Sequence, residues 1–112
     1  MVESDLQVAS WLAGTLRELE LNVDGVYHDA ESALATFHGL NFSLYHPLII
    51  LDGDLGRGGS EVTARFLANK GVCFILHTNR ELEFDSGFRN MMFSVLPKSK
   101  NKISLISALE QL

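Results

Sequence analysis

Between Pro47 and Ser60 the chain reads PLIILDGDLGRGGS, so four apolar residues, Leu48 to Leu51, run straight into Asp52 and a glycine-rich loop. An unbroken apolar run of this length suits a strand covered on both faces, where the usual alternation vanishes. Asp52 is therefore expected at the carboxyl end of a buried strand. In an open parallel sheet that is the edge where ligands bind and chemistry is placed. Other polar groups fall at comparable points: Thr78 after the apolar run Val72 to Leu76, Lys98 after MMFSVLP, and the cluster Glu3, Ser4 and Asp5 after the first two residues. A carboxylate so placed can accept a group in covalent transfer if a cation offsets the incoming charge. Each residue also has a plainer role. Asp52 and Thr78 can cap turns or helices, Lys98 can be one solvated lysine beside Lys100 and Lys102, and Glu3 and Asp5 suit the positive end of a helix.

The elements that would bring these groups together alternate along the chain. From Asp5 to Leu19 the residues Leu6, Ala9, Leu12, Leu16 and Leu19 recur at threes and fours, the spacing of one buried helical face. Val23 and Val26 mark a short β-prone stretch, and Asp29 is placed to cap a helix through Ala33, Leu34 and Phe37. After Asp52, Gly56, Gly58 and Gly59 form a loop. Ser60 then caps a helix lined by Val62, Phe66 and Leu67 that stops near Gly71. GVCFILHT is a second buried strand, followed by a weak polar helix interrupted at Gly87. MMFSVLP is a last short strand, and Asn101 to Leu112 is a closing helix with Ile103, Ile106 and Leu109 inward. Strands and helices alternating at this pitch imply an α/β, doubly wound parallel sheet with helices on both faces. In the order 2-1-3-4-5 the first strand is central, yet only Met1 and Val2 precede the first helix, so that strand is truncated.

Composition narrows the function. The 112 residues form one domain able to bury a core without staples. A single cysteine, Cys73, rules out a disulfide framework and makes a reducing, cytoplasmic setting the default. No apolar run approaches the roughly 20 residues of a membrane span, and no signal-peptide layout is present. A net charge of −5 argues against non-specific nucleic-acid binding. The four histidines, His28, His38, His46 and His77, show no metal-ligand spacing and read as incidental, although His77 lies close enough to the site to tune it. The GRGG glycines fit neither the P-loop nor the dinucleotide spacing.

The ordered set of Glu3-Ser4-Asp5, Asp52 in LIILDGDLGRGGS, Thr78 after CFILH and Lys98 in SVLPKS resembles the receiver domain of response regulators in bacterial two-component systems, over nearly the whole chain. The resemblance implies that Asp52 accepts a phosphoryl group. Glu3 and its neighbour, Asp52 and the backbone carbonyl of Asp54 would hold Mg²⁺, which takes oxygen ligands. Lys98 would pair with a phosphoryl oxygen, and Thr78 would donate its hydroxyl to it, drawing its loop inward. The implied partners are a histidine kinase or histidine phosphotransfer protein as donor and a downstream protein target, since no output domain follows Leu112. The short central strand adds a possible homodimer by strand exchange. No activity beyond self-phosphorylation and slow self-dephosphorylation is expected.

Three departures from the family pattern bear on function. Ser4 replaces one of two expected carboxylates, which should weaken the ion site, with Asp5 able to compensate only by a shift of register. Lys98 is followed by Ser99 rather than proline, so a trans bond is expected. Val95 stands where many receivers carry a mobile aromatic. An interaction module that works without phosphorylation is the rival reading, and a small flavodoxin-like ligand binder or enzyme a third.

Overall fold

The computed structural model describes residues 1–56, 58–78, 94–98 and 102–110. Helix α1 spans Leu6–Glu18, α2 Ala30–His38, strand β1 Ile49–Asp52, α3 Gly59–Asn69, β2 Phe74–His77, β3 Ser94–Leu96 and α4 Lys102–Glu110. The order and types follow the expected alternation. The polar helix expected beyond Thr78 lies outside the described residues.

Strands β1, β2 and β3 form a parallel sheet in that order, with Ile49 opposite Phe74, Asp52 opposite His77, and His77 opposite Leu96. Two further lanes are reduced to single-residue parallel bridges, Val2 to Leu51 on one side and Val2 to Tyr27 on the other. Their hydrogen bonds are regular: the Val2 N–H donates to Ile50 O at 2.8 Å, and the Asp52 N–H donates to Val2 O at 2.8 Å. Across the other side, the Glu3 N–H donates to Tyr27 O at 2.8 Å and the Tyr27 N–H to Met1 O at 2.9 Å. The lane order is thus 2-1-3-4-5 with a truncated central strand. The β-prone stretch Val23 to Val26 does not become a strand, and pairing occurs at Tyr27 instead. A strand is held by ladder bonds to its neighbour, and the bonds from this stretch to the central lane are those of Gly25 and Tyr27 with Met1 and Glu3.

The sheet separates two apolar layers, as the period of two along each strand requires. Ile49, Leu51, Phe74 and Leu76 face α2 and α3, packing with Val2, Ala33, Phe37, Ala64 and Leu67. Ile50, Ile75 and Leu96 face the other way, against Leu12 and Leu16 of α1 and Leu105 and Ala108 of α4. Two inward faces differ from expectation. In α4, Leu105 and Ala108 are buried while Ile103 is 78% exposed; apolar residues surround this helix, so spacing alone favours no single stripe. In α3, Val62 points outward and Ser60, Thr63, Ala64 and Leu67 are buried, because small residues there allow close approach to β1. Leu6 of α1 is also exposed, in the first turn and off the buried stripe.

Local chemistry fixes the helix ends. Asp5 is the N-cap of α1, accepting from the N–H groups of Gln7 and Val8 at 2.9 and 3.2 Å. Asp29 caps α2, accepting from the Ser32 N–H at 2.6 Å. Ser60 does not cap α3; the N-cap is Gly58, left-handed at φ 73°. The carboxyl end of α1 closes with the Glu20 N–H on Arg17 O and the Leu21 N–H on Leu16 O, which places Glu20 at φ 63°. That paired motif ordinarily employs glycine, because a side chain in the left-handed region costs about 1–2 kcal/mol. Glu20→Gly should therefore raise stability by about 1 kcal/mol, allowing for the greater freedom of glycine in the unfolded chain. Urea denaturation checks this, and an unchanged or lower midpoint refutes the strain.

Candidate functional site

The carboxyl edge of the sheet gathers most of the polar residues singled out in the sequence. Asp52 ends β1 and is fully buried, as is Glu3, which follows the Val2 bridge. The Lys98 ammonium reaches in from the residue after Pro97, 2.7 Å from Asp52 Oδ1 and 3.2 Å from Glu3 Oε2. Asp52 Oδ1 also accepts from the Asp54 N–H at 2.9 Å. Its Oδ2 accepts from the Ser4 N–H at 3.1 Å and the Ser4 hydroxyl at 2.8 Å. Glu3 Oε2 further accepts from the Asp5 N–H at 3.0 Å.

These contacts set the charge states. Burial by itself would raise the Asp52 pKa, but hydrogen bonding with Glu3, Lys98 and Ser4 outweighs it and holds the carboxyl below its ordinary 3.8. For Lys98, burial would lower the pKa, and the hydrogen bond and attraction from Asp52, then those from Glu3, raise it above 10.5. A depressed carboxyl pKa stabilises the fold above its unfolded value and the gain is lost as pH falls through the folded one. The raised lysine pKa stabilises below 10.5 and that gain is lost as pH rises past it.

Thr78 is buried at the end of β2, its N–H donating to Leu96 O at 3.0 Å. It packs directly on Gly53, which explains the glycine after Asp52. A Cβ at position 53 would stand 2.6 Å from Thr78 Cβ and 2.7 Å from its Oγ1. Ser60 is also part of this edge, in a role the sequence did not suggest. Its hydroxyl donates to Asp52 O at 2.8 Å and accepts from the Leu55 N–H at 3.0 Å, fastening the β1–α3 loop to the start of α3.

Two histidines join the cluster: His77, expected near the site, and His28, which nothing in the sequence signalled. His28 Nδ1 lies 2.9 Å from Glu3 O. His77 is buried, with Nδ1 3.3 Å from Glu3 Oε1. Neither of those two atoms makes a hydrogen bond of good geometry among the described residues. Asp5 does not compensate for Ser4, because its carboxylate is committed to the α1 cap. Val95 is 46% exposed on β3, and the Lys98–Ser99 bond lies outside the described residues.

As a metal site the edge offers oxygen donors of the kind Mg²⁺ takes: Glu3, with Oε1 unpartnered, Asp52, and the Asp54 carbonyl. Ser4 and Lys98 contend for the same atoms. The Ser4 hydroxyl occupies Asp52 Oδ2 and lies 3.3 Å from Asp54 O, and Lys98 bridges the two carboxylates. Among the described residues no group of three His, Cys, Asp or Glu side chains converges as a ready-made ion cage, so water and ligand would have to complete the shell.

The Gly53 contact yields a direct test. Gly53→Ala should push Thr78 out of its seat and cost about 1–3 kcal/mol through overpacking, with the largest amide shifts at Thr78 and Asp52. A variant of unchanged stability with an undisturbed Thr78 spectrum would contradict the contact.

No protein-family model matches the chain, and no curated protein matches it. Solved structures do. The N-terminal domain of a response regulator/sensory box/GGDEF 3-domain protein from Carboxydothermus hydrogenoformans superposes with a TM-score of 0.81 at 23% identity, covering 97% of this chain and 87% of that one. SdrG from Pseudomonas melonis Fr1, in its BeF3-activated conformation, gives 0.74 at 27% identity over 98% and 90%. The Vibrio cholerae chemotaxis protein CheY4 gives 0.77 at 16% identity over 98% and 92%. With its strand order, two helical layers and superposition on these structures, the chain has the receiver-domain fold of response regulators.

Proposed function

We propose that the chain acts in two-component signalling by taking a phosphoryl group onto Asp52 from a phosphohistidine on a kinase or phosphotransfer protein. The observation that carries this reading is the placing of the Lys98 ammonium against both buried carboxylates, at 2.7 Å from Asp52 and 3.2 Å from Glu3. In the transfer, a carboxylate oxygen of Asp52 bonds to phosphorus as the phosphorus–nitrogen bond of the donor breaks. The imidazole departs with the electron pair and takes a proton from solvent, leaving an acyl phosphate. Lys98 then turns from the carboxylate to a phosphoryl oxygen, and the Thr78 hydroxyl donates to another. Glu3, Asp52 and the Asp54 carbonyl would hold Mg²⁺, which would supply the positive charge that offsets the transferring group. SdrG, of the same fold, was solved in a BeF3-activated conformation, which supports the assignment.

The chain's own departures make the site reluctant. Ser4 supplies a neutral hydroxyl where a second acid would strengthen the hold on the cation. Before transfer, Asp52 must also exchange its bonds to Ser4 and Lys98. A specific observation therefore favours a second reading, in which the fold binds a protein partner without phosphorylation: Asp52 is 0% exposed and both its oxygens are hydrogen-bonded.

Incubation with acetyl phosphate and Mg²⁺ separates the two. A mass gain of one phosphoryl group that disappears in Asp52→Asn supports transfer; no gain on a folded protein supports the second reading. Ser4→Asp should tighten Mg²⁺ binding about 10–100-fold, read by titration against the magnetic resonance signals of Glu3 and Asp52. Equal affinity would remove Ser4 as the weakening element.

A further inference from the structure

The Ser4 hydroxyl stands in the geometry of an activated nucleophile. It donates to Asp52 Oδ2 at 2.8 Å, and the Ser4 N–H donates to the same oxygen at 3.1 Å, so one acceptor fixes both the side chain and its backbone. Asp52 is oriented in turn, since its Oδ1 takes the Lys98 ammonium at 2.7 Å and the Asp54 N–H at 2.9 Å. A hydroxyl bonded to a carboxylate that a third group holds in place is the arrangement by which serine is activated for covalent transfer. Ser4 Oγ also lies 3.3 Å from Asp54 O. With its proton directed at these acceptors, the oxygen keeps lone-pair density for an incoming electrophile.

Exposure separates the two residues. Ser4 is exposed while Asp52 is 0% exposed, so a donor arriving from solvent reaches the serine before the carboxylate. Both Asp52 oxygens already accept hydrogen bonds, which must be exchanged before either can attack, whereas the bond from Ser4 to Oδ2 is the one a base needs. A positioned aspartate suffices for this task in phosphoryl transfer, because the hydroxyl proton moves as the bond to phosphorus forms. Ser4 also stands one residue before Asp5, the N-cap of the 13-residue helix α1, at the positive end of that helix, where added phosphate charge is favoured.

We infer that Ser4 is a second phosphoryl acceptor at this edge, with Asp52 as its general base, and that a phosphorus–nitrogen donor leaves a phosphate monoester on it. The inference shares the donor class of the proposed function but not its acceptor. In the step, Ser4 Oγ bonds to phosphorus as the phosphorus–nitrogen bond of the donor breaks. The nitrogen departs with the electron pair and takes a proton from solvent, and the hydroxyl proton passes to Asp52 Oδ2. Lys98 then turns from the neutral carboxyl to a phosphoryl oxygen, and Asp52 returns its proton to solvent. The product differs from an acyl phosphate in lifetime. Phosphate monoesters are among the slowest linkages to hydrolyse, so a mark on Ser4 persists where one on Asp52 decays.

The test treats the whole folded chain with phosphoramidate and Mg²⁺, follows its intact mass, and then adds neutral hydroxylamine, which cleaves an acyl phosphate and spares a phosphate monoester. A gain of one phosphoryl group that survives hydroxylamine and maps to Ser4 on fragmentation is expected. This resistant gain should vanish in Ser4→Ala, return in Ser4→Thr, and form about 100-fold or more slowly in Asp52→Asn, each variant being first shown to melt as a folded chain. A gain removed entirely by hydroxylamine overturns the inference and leaves Asp52 as the sole acceptor. A resistant gain on Ser4 with no sensitive gain supports the inference and removes Asp52 as acceptor. Resistant phosphate on another residue, or its formation at an undiminished rate in Asp52→Asn, overturns the inference. So does the absence of any gain on the folded chain, which removes both acceptors.

Discussion

Two carboxylates buried side by side are unstable unless a cation lies between them, and the Lys98 ammonium meets that need. Desolvating Asp52 and Glu3 costs several kcal/mol per ion before compensation. The contacts at 2.7 and 3.2 Å, with the N–H groups of Ser4, Asp5 and Asp54, supply that compensation. The geometry of the carboxyl edge follows. β3 must end where Lys98, two residues on, can reach β1, and Val2 must pair with Leu51 so that Glu3 arrives beside Asp52. Chemistry at this edge thus begins from a partly neutralised state, in which a ligand or cation competes with a lysine already in place.

The central lane shows how little pairing a parallel sheet needs to hold its order. One residue, Val2, bridges the lanes on both sides, and its side chain is buried among Leu51, Ala33 and Phe37 in the layer beneath α2. Its backbone bonds set the register that aligns Glu3 with the end of β1. Beside Met1, residues Asn22 to Gly25 and Leu48 to Ile50 line a cavity of about 500 Å³. The Met1 amine, pushed down to a pKa of about 6 by burial and only partly supported by Asp24, carries part of the cost of that arrangement.

Much of the architecture was legible in the sequence because burial leaves a pattern. The unbroken run Leu48 to Leu51 encodes a strand covered on both sides, and the spacing from Ala9 to Leu16 encodes a helix with one inner face. Asp29 declared its cap by position. The convergence of Glu3, Asp52 and Lys98 was legible only as an ordered set, since each alone suits a turn, a helix end or solvent. The illegible parts depend on neighbours. Tyr27 rather than Val23 pairs because the partner lane is short; Leu105 rather than Ile103 turns inward because apolar residues ring that helix. His77 rests against Glu3 through packing of side chains that spacing does not report. Ser60 resembled a cap, but its hydroxyl is drawn sideways to Asp52 O and the Leu55 N–H.

That sideways bond gives the edge a mechanical property. A single hydroxyl ties the Asp52 carbonyl to the first turn of α3, so the end of β1 and the helix behind it behave as parts of one crank. A displacement of the Asp52 carbonyl meets α3 through one hydrogen bond, and the Leu55 N–H holds the intervening loop to the same hydroxyl. The outer face of α3 that carries the exposed Val62 is thereby joined mechanically to the end of β1.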